Sequence, residues 1–223
     1  MNEGKPSLAV IGGTGDLGSG LARMWAAAGY PVILGSRSKE RAEDAARDLA
    51  AQTQGQVSGN ENRFAAAAAD IVVLCIPFAN HDETVDEIEP AMSGKIVVDA
   101  VVPLMPPKVS IVHLPPTGSP ALVAQKRLGE TVQVAAAFHN VGAKKLHDGH
   151  KADCDVLVFA DDIAVREKVI ELANGVATRG IHGGVLANAV AAEAMTSVLI
   201  AINSRYKIPG AGIRITGLPA PGS

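Results

Sequence analysis

The chain has 223 residues, of which 48% are hydrophobic but only 3% aromatic, and its formal net charge is −3. This length can bury a sizeable core and corresponds to one α/β domain, or one with an appendage, filled mainly by small aliphatic side chains. The charge balance gives no basic footprint for nucleic acid, no apolar run is expected to reach the ~20 residues that span a bilayer, and residues 1–6 lack an apolar secretory stretch.

Residues 8–12 read as a strand, and residues 17–28 as a helix ended by Gly29. Between them stands Gly13-Thr14-Gly15-Asp16-Leu17-Gly18, a strand-to-helix turn suited to a dinucleotide pyrophosphate. Gly13 would permit the tight turn, Gly15 a close approach of backbone to phosphate, and Gly18 close packing of helix on strand. The free N–H groups and positive dipole end of the helix then face the anion. Such a pattern is weak evidence alone, and the end of the second strand (residues 31–35) strengthens it. A site selecting NAD would carry Asp or Glu there. This chain carries Ser36 and Arg37, followed by Lys39 and Arg41. A planar guanidinium matches a phosphate bidentately and a hydroxyl can donate to a further oxygen, which points to the 2′-phosphate of NADP(H). The alternative is a set of solvated charges at a strand-to-helix turn, with Ser38 capping a helix over 39–51. That reading suits Lys39 better than Arg37.

Further along, residues 56–58 give a short strand, 62–69 a helix, 71–76 an apolar strand ended by Pro77, 82–92 a helix and 96–98 another apolar strand. Continuous β-branched runs separated by helices indicate a parallel sheet covered on both faces. Between Pro103 and Pro120 the prolines exclude helix and central strand, leaving a long loop over 104–120. A helix over 121–128, strands over 132–136 and 156–159, and a helix over 163–174 follow. Residues 187–204 form a long, mostly apolar helix, expected to be buried nearly all round against the sheet or a second subunit. The fold class is α/β, a Rossmann-like doubly wound, mostly parallel sheet with a small C-terminal helical subdomain. The expected division is 1–184 for coenzyme binding and 185–223 for substrate and dimer contacts.

Few side chains stand out for chemistry. His139, at a strand end expected to open into the cleft, either hydrogen-bonds an acceptor or is satisfied by backbone. His81 either reaches the coenzyme or sits in a surface loop. Cys75 and Cys154 have no metal-ligand spacing and read as buried thiols of a cytoplasmic protein.

Four stretches resemble the coenzyme F420-dependent NADP oxidoreductases. They are the opening from Ile11 to Ala22, Gly35-Ser36-Arg37, Ala137-Phe138-His139-Asn140-Val141-Gly142-Ala143, and the ending Asn203-Ser204-Arg205-Tyr206-Lys207 with Gly212-Ile213-Arg214-Ile215. The resemblance implies that Thr14, Gly15, Asp16 and Leu17 bind the pyrophosphate and that Ser36, Arg37 and Arg41 bind the 2′-phosphate. Ile76, Pro77 and Phe78 would flank the nicotinamide half, with Val101, Val102 and Pro103 closing the cleft. Ala143 would touch the nicotinamide and Ala211 the deazaflavin. The implied chemistry is direct hydride transfer between NADP(H) and coenzyme F420 in a homodimer, with no metal. The chain departs from the family at Asn140 and Gly142, where His and Ser are frequent, at Val102, where Asn is frequent, and in the 104–120 loop. These departures leave NADP(H) binding untouched and bear on the acceptor, so a flavin reductase and a non-catalytic NADP(H) sensor stand as alternatives.

Overall fold

The computed structural model describes residues 4–116 and 118–219. Thr117 of the proline-rich loop, and the outer ends of the expected segments at 1–3 and 220–223, lie outside the described residues. Eight strands form one sheet: β1 (Leu8–Ile11), β2 (Val32–Ser36), β3 (Val57–Glu61), β4 (Ile71–Leu74), β5 (Ile96–Asp99), β6 (Gln133–Ala136), β7 (Ala152–Ala160) and β8 (Ala177–Gly184). Their order is β3-β2-β1-β4-β5-β6-β7-β8, with β6 and β7 antiparallel and all other neighbours parallel. The helices are α1 (Asp16–Ala27), α2 (Lys39–Thr53), α3 (Asn62–Ala68), α4 (His81–Ile88), α5 (Pro120–Leu128), α6 (Ala143–His147), α7 (Ile163–Val176) and α8 (Ala189–Tyr206).

Every residue of β1, β4 and β5 is buried, as continuous apolar runs require when both sheet faces are covered. One core layer gathers Leu21, Trp25, Phe138, Val169 and Leu172. The other gathers Val85, Ile88, Met92, Ala121 and Leu128. Trp25 is fully buried, meets the edge of Phe138 with ring centroids 5.6 Å apart, and donates its indole N–H to the Leu172 carbonyl at 3.1 Å. The chain reverses sheet direction where its order changes between β1 and β4, the switch point at which open α/β sheets bind ligands.

The doubly wound, mostly parallel sheet is the architecture expected. Two elements are additions: α6, a helix of only five residues, and β8, whose Gly180, Gly183 and Gly184 hide the usual strand signature. The expected strand at 156–159 begins earlier, at Ala152. The last helix corrects two expectations. Leu186–Tyr206 is long and apolar enough to cross a bilayer by length and composition, with a mean hydropathy of 1.4, yet only 33% of that stretch is buried within the chain. It is therefore not enclosed all round. Ala189, Ala192, Glu193, Ser197 and Leu199 face inward, whereas Met195 and Val198 are 39% and 41% exposed.

Candidate active site

The turn after β1 is built by exclusion of side chains. Gly12 has φ +80°, and a Cβ there would lie 2.5 Å from the Cys75 carbonyl oxygen. The left-handed residue is thus Gly12, one position before the glycine expected to make the tight turn. Gly13 instead closes against the carbonyl of Val10 and the side chain of Leu34, on the side of the turn away from the main cleft. A Cβ at Gly18 would lie 2.5 Å from the Gly12 oxygen, so α1 packs against the turn only because Gly18 has none. Gly15 is the N-cap of α1 and brings no side-chain acceptor, so the first-turn N–H groups stay uncapped and available to an anion. Asp16 and Leu17 open the helix there.

A cleft of about 280 Å³ lies in front of this turn, lined among others by Thr14, Gly15, Ser36, Arg37, Arg41, Ile76 and Pro77. Seven residues named from the sequence therefore meet around one cavity. Ser36 ends β2, and Ser38 caps α2 by accepting the Arg41 backbone N–H at 3.3 Å. Arg37 and Arg41 are exposed, and among the described residues neither has a carboxylate within ion-pair distance. Lys39, by contrast, pairs with Glu43 at 3.7 Å. Sequence reasoning missed further lining residues, among them Asn62, Cys75, Asn80 and Thr84. Asn62 is 4% exposed and its Oδ1 has no hydrogen-bond partner among the described residues, a buried acceptor on a residue that lines the cavity. Its signal was an Asn at the start of α3 that caps nothing. Burial, together with the nearby Asp99, pushes the Cys75 thiol up to about 12, so it is inert as a nucleophile.

Phe78 does not line this cleft but meets the edge of His113 in the proline-rich loop, with ring centroids 6.4 Å apart. Val102 is half-buried just beyond β5. His81 is buried, not in a surface loop as one reading held, because its ring is ion-paired with Asp99 at 2.8 Å and Asp82 at 3.0 Å. His139 is 5% exposed, and neither ring nitrogen has a hydrogen-bond partner among the described residues. Burial drives its pKa down to about 4 against the pull of Asp99, so the ring is neutral at ordinary pH. Its carbonyl accepts the Thr196 hydroxyl of α8 at 2.8 Å, which docks that helix at the exit of β6. One turn away, Glu193 is buried and accepts the Ser119 hydroxyl at 2.6 Å. Burial raises its pKa to about 7.

A second cavity of about 290 Å³ is lined by Asn140, Gly142, Lys144, Lys145, Cys154 and Ala211, among others. Ala143 opens α6 at its edge, and a Cβ at Gly20 would lie 3.0 Å from Leu146, so α6 lies directly on α1 beside the glycine turn. The Asn140 side-chain amide donates to the Asp155 carbonyl at 2.8 Å, tying the exit of β6 to β7. The C-terminal segment is fastened over this region by Asp155, which pairs with Arg179 at 2.9 Å and accepts the Ile215 N–H at 2.7 Å. Among the described residues, no group of three or more His, Cys, Asp or Glu could hold a metal ion.

A glycine turn beneath an uncapped helix, at the switch point of a doubly wound sheet, defines a dinucleotide-binding protein of the Rossmann class. The sequence profile described as NADP oxidoreductase coenzyme F420-dependent matches residues 7–103. Similarity to curated proteins runs the full length. The F420-dependent NADP reductase of Methanocaldococcus jannaschii is 39% identical over 221 residues, covering 95% of this chain and 98% of its own. That of Methanothermobacter thermautotrophicus is 40% identical over 222 residues, covering 95% of each. A solved structure from Arthrobacter sp. FB24 superposes with a TM-score of 0.79 over 95% of this chain and 99% of its own, at 24% identity. The chain belongs to the coenzyme F420-dependent NADP oxidoreductase family.

Proposed function

We propose that this protein transfers a hydride between NADP(H) and the deazaflavin coenzyme F420, as the names of its relatives state for them. One observation carries the coenzyme assignment: Arg37 and Arg41, without acidic partners, stand with the Ser36 hydroxyl at the end of the cleft where an NAD site would present a carboxylate. Ser36, Arg37 and Arg41 hold the 2′-phosphate, and Thr14, Gly15, Asp16 and Leu17 hold the pyrophosphate beside Gly13. Ile76 and Pro77 flank the nicotinamide half from the cleft wall, with Phe78 and Val102 outside that lining, and Ala143 stands where it meets the acceptor. The cavity at Ala211 takes the deazaflavin.

The chemistry is a two-electron exchange in which NADPH, F420 and one proton give NADP+ and reduced F420. Both ring carbons carry hydride themselves, so the protein supplies position and dryness in place of a nucleophile or metal. Small apolar residues and backbone turns suit that task. His139, neutral and with both ring nitrogens unpartnered, is suited to hydrogen-bond the acceptor. Residues 1–184 act as the coenzyme unit, and residues 185–223 supply acceptor contacts and a homodimer interface through the exposed face of α8. The setting is cytoplasmic.

The test is an anaerobic steady-state assay with NADPH and oxidised F420, following loss of deazaflavin absorbance, with a flavin control. Turnover with F420 at low substrate and little with flavin supports the assignment. NADPH binding without F420 reduction would overturn the acceptor and leave the coenzyme.

A further inference from the structure

β4 and β5 run side by side, with Leu74 opposite Asp99, and the β4 exit (Cys75, Ile76 and Pro77) lines the cleft while the β5 exit stands next to it. Backbone pairing between them ends at the hydrogen bond from Ala100 N–H to the Leu74 carbonyl, 3.1 Å. Among the described residues, no backbone hydrogen bond joins residues 75–80 to residues 101–104. A side-chain link does. Asp99 is fully buried and uses both oxygens: Oδ1 accepts the Val101 N–H at 2.9 Å, and Oδ2 faces Nε2 of His81 at 2.8 Å. His81, itself 1% exposed, opens α4 and turns Nδ1 toward Oδ1 of Asp82 at 3.0 Å. Asp82 in turn pairs with Arg127 of α5 at 2.6 Å, and Arg127 pairs with Asp86 at 2.8 Å. The two residues that bracket His81 on the cleft side, Asn80 and Thr84, both line the coenzyme cavity.

We infer that His81 is a positioning residue for the nicotinamide half of the coenzyme, bolting the β4 exit to the β5 exit through Asp99. This rests on the NADP(H) reading of the cleft. A carboxylate oxygen faces each ring nitrogen, at 2.8 and 3.0 Å, an arrangement that favours the protonated ring. Burial opposes that charge, but Asp99 and Asp82 together outweigh it and raise the His81 pKa. Three further titratable groups bear on the pair: Glu193 of α8 feels both Asp99 and His81, while His139 beyond β6 and Cys75 at the β4 exit feel Asp99. Desolvating two charges offsets most of their attraction, so such a pair adds little to net stability over apolar packing. Its distinct contribution is geometric: it sets the separation of two loops that no backbone bond sets.

The experiment compares NADPH with 2′-phosphoadenosine diphosphoribose, which keeps the phosphates and lacks the nicotinamide, by calorimetry on wild type, His81→Ala, His81→Gln and Asp99→Asn. Wild type should bind NADPH more tightly than the fragment. His81→Ala should lose most of that advantage while fragment affinity stays unchanged, and its kcat should fall roughly ten- to a hundredfold, the scale of a small misplacement of reacting groups. His81→Gln, which can still donate to Asp99, should recover part of both. The wild-type advantage should also decline as pH rises through the raised His81 pKa, and this dependence should vanish in His81→Gln. Equal weakening of both ligands, or an unchanged preference and kcat with only a lower melting temperature, would overturn the inference. Should His81→Ala fail to fold, His81→Gln and Asp99→Asn carry the same comparison. The binding arm needs no acceptor, so failure of F420 turnover in wild type leaves this result readable on its own.

Discussion

Replacing Arg37 with alanine removes a guanidinium that is exposed at the end of β2 and has no carboxylate partner among the described residues. Folding should therefore not notice the change, and the melting temperature should stay within the shift of an ordinary surface substitution, about 0.5 kcal/mol. Coenzyme binding should notice it strongly. A charge-assisted hydrogen bond to phosphate contributes about 1.5–3 kcal/mol, and in the proposed site Arg37 would share the phosphate with Arg41 and Ser36, which line the same cleft. Loss of its part corresponds to a rise in KM for NADPH of roughly 10- to 150-fold. NADH lacks the phosphate, so its KM should barely move. The assay is steady-state kinetics with both nucleotides at fixed acceptor, repeated at low and high salt, since the wild-type preference should shrink as ions screen the arginines. An equal loss with NADPH and NADH would refute the reasoning and place Arg37 in support of the adenosine or of the turn itself.

Gly18→Ala should lower stability by about 1–3 kcal/mol and weaken NADPH binding together, because its Cβ would meet the Gly12 carbonyl at 2.5 Å; denaturant melts and calorimetry check both. Glu193 holds its proton more tightly folded than unfolded, so the stability it confers is full below the ordinary carboxylate range and is lost as pH rises through about 7. Urea unfolding at about pH 5 and about pH 8 should show wild type losing more stability across that interval than Glu193→Gln. Met195→Glu with Val198→Glu should leave the chain folded and convert the proposed homodimer to monomers in light scattering, since both side chains lie on the open face of α8.

The sheet and the coenzyme cleft were legible in the sequence because local signals specify them. Apolar β-branched runs mark β1, β4 and β5, and the glycine turn and the Ser36–Arg37 pair follow at fixed spacing. What escaped depends on partners distant in sequence. His81 looks like a loop histidine until Asp99, 18 residues away on the neighbouring strand, is placed against it. Glu193 looks like a stray charge on an apolar helix until Ser119, 74 residues away, is found beneath it. Asn62 offered only its place at the start of a helix, because its position on the cleft depends on β3 ending opposite Ser36. β8 is rich in glycine because Phe159 and α7 crowd it, and the same crowding erases the β-branched pattern that marks a strand.

The single antiparallel step between β6 and β7 has a consequence for how the protein can change. Up to β6, everything that approaches the nucleotide leaves the carboxyl end of a strand. At the reversal, the amino end of β7 arrives at the same rim, and Ala152, Asp153 and Cys154 face the second cavity opposite Asn140 and Gly142. The two cavities therefore draw on different kinds of chain: one on turns locked by the parallel sheet, the other on a short connector and a C-terminal strap pinned by Asp155 and Arg179. Substitutions in the connector and strap can reshape the second cavity while the cleft at the glycine turn keeps its geometry, which makes the second cavity the freer of the two to diverge.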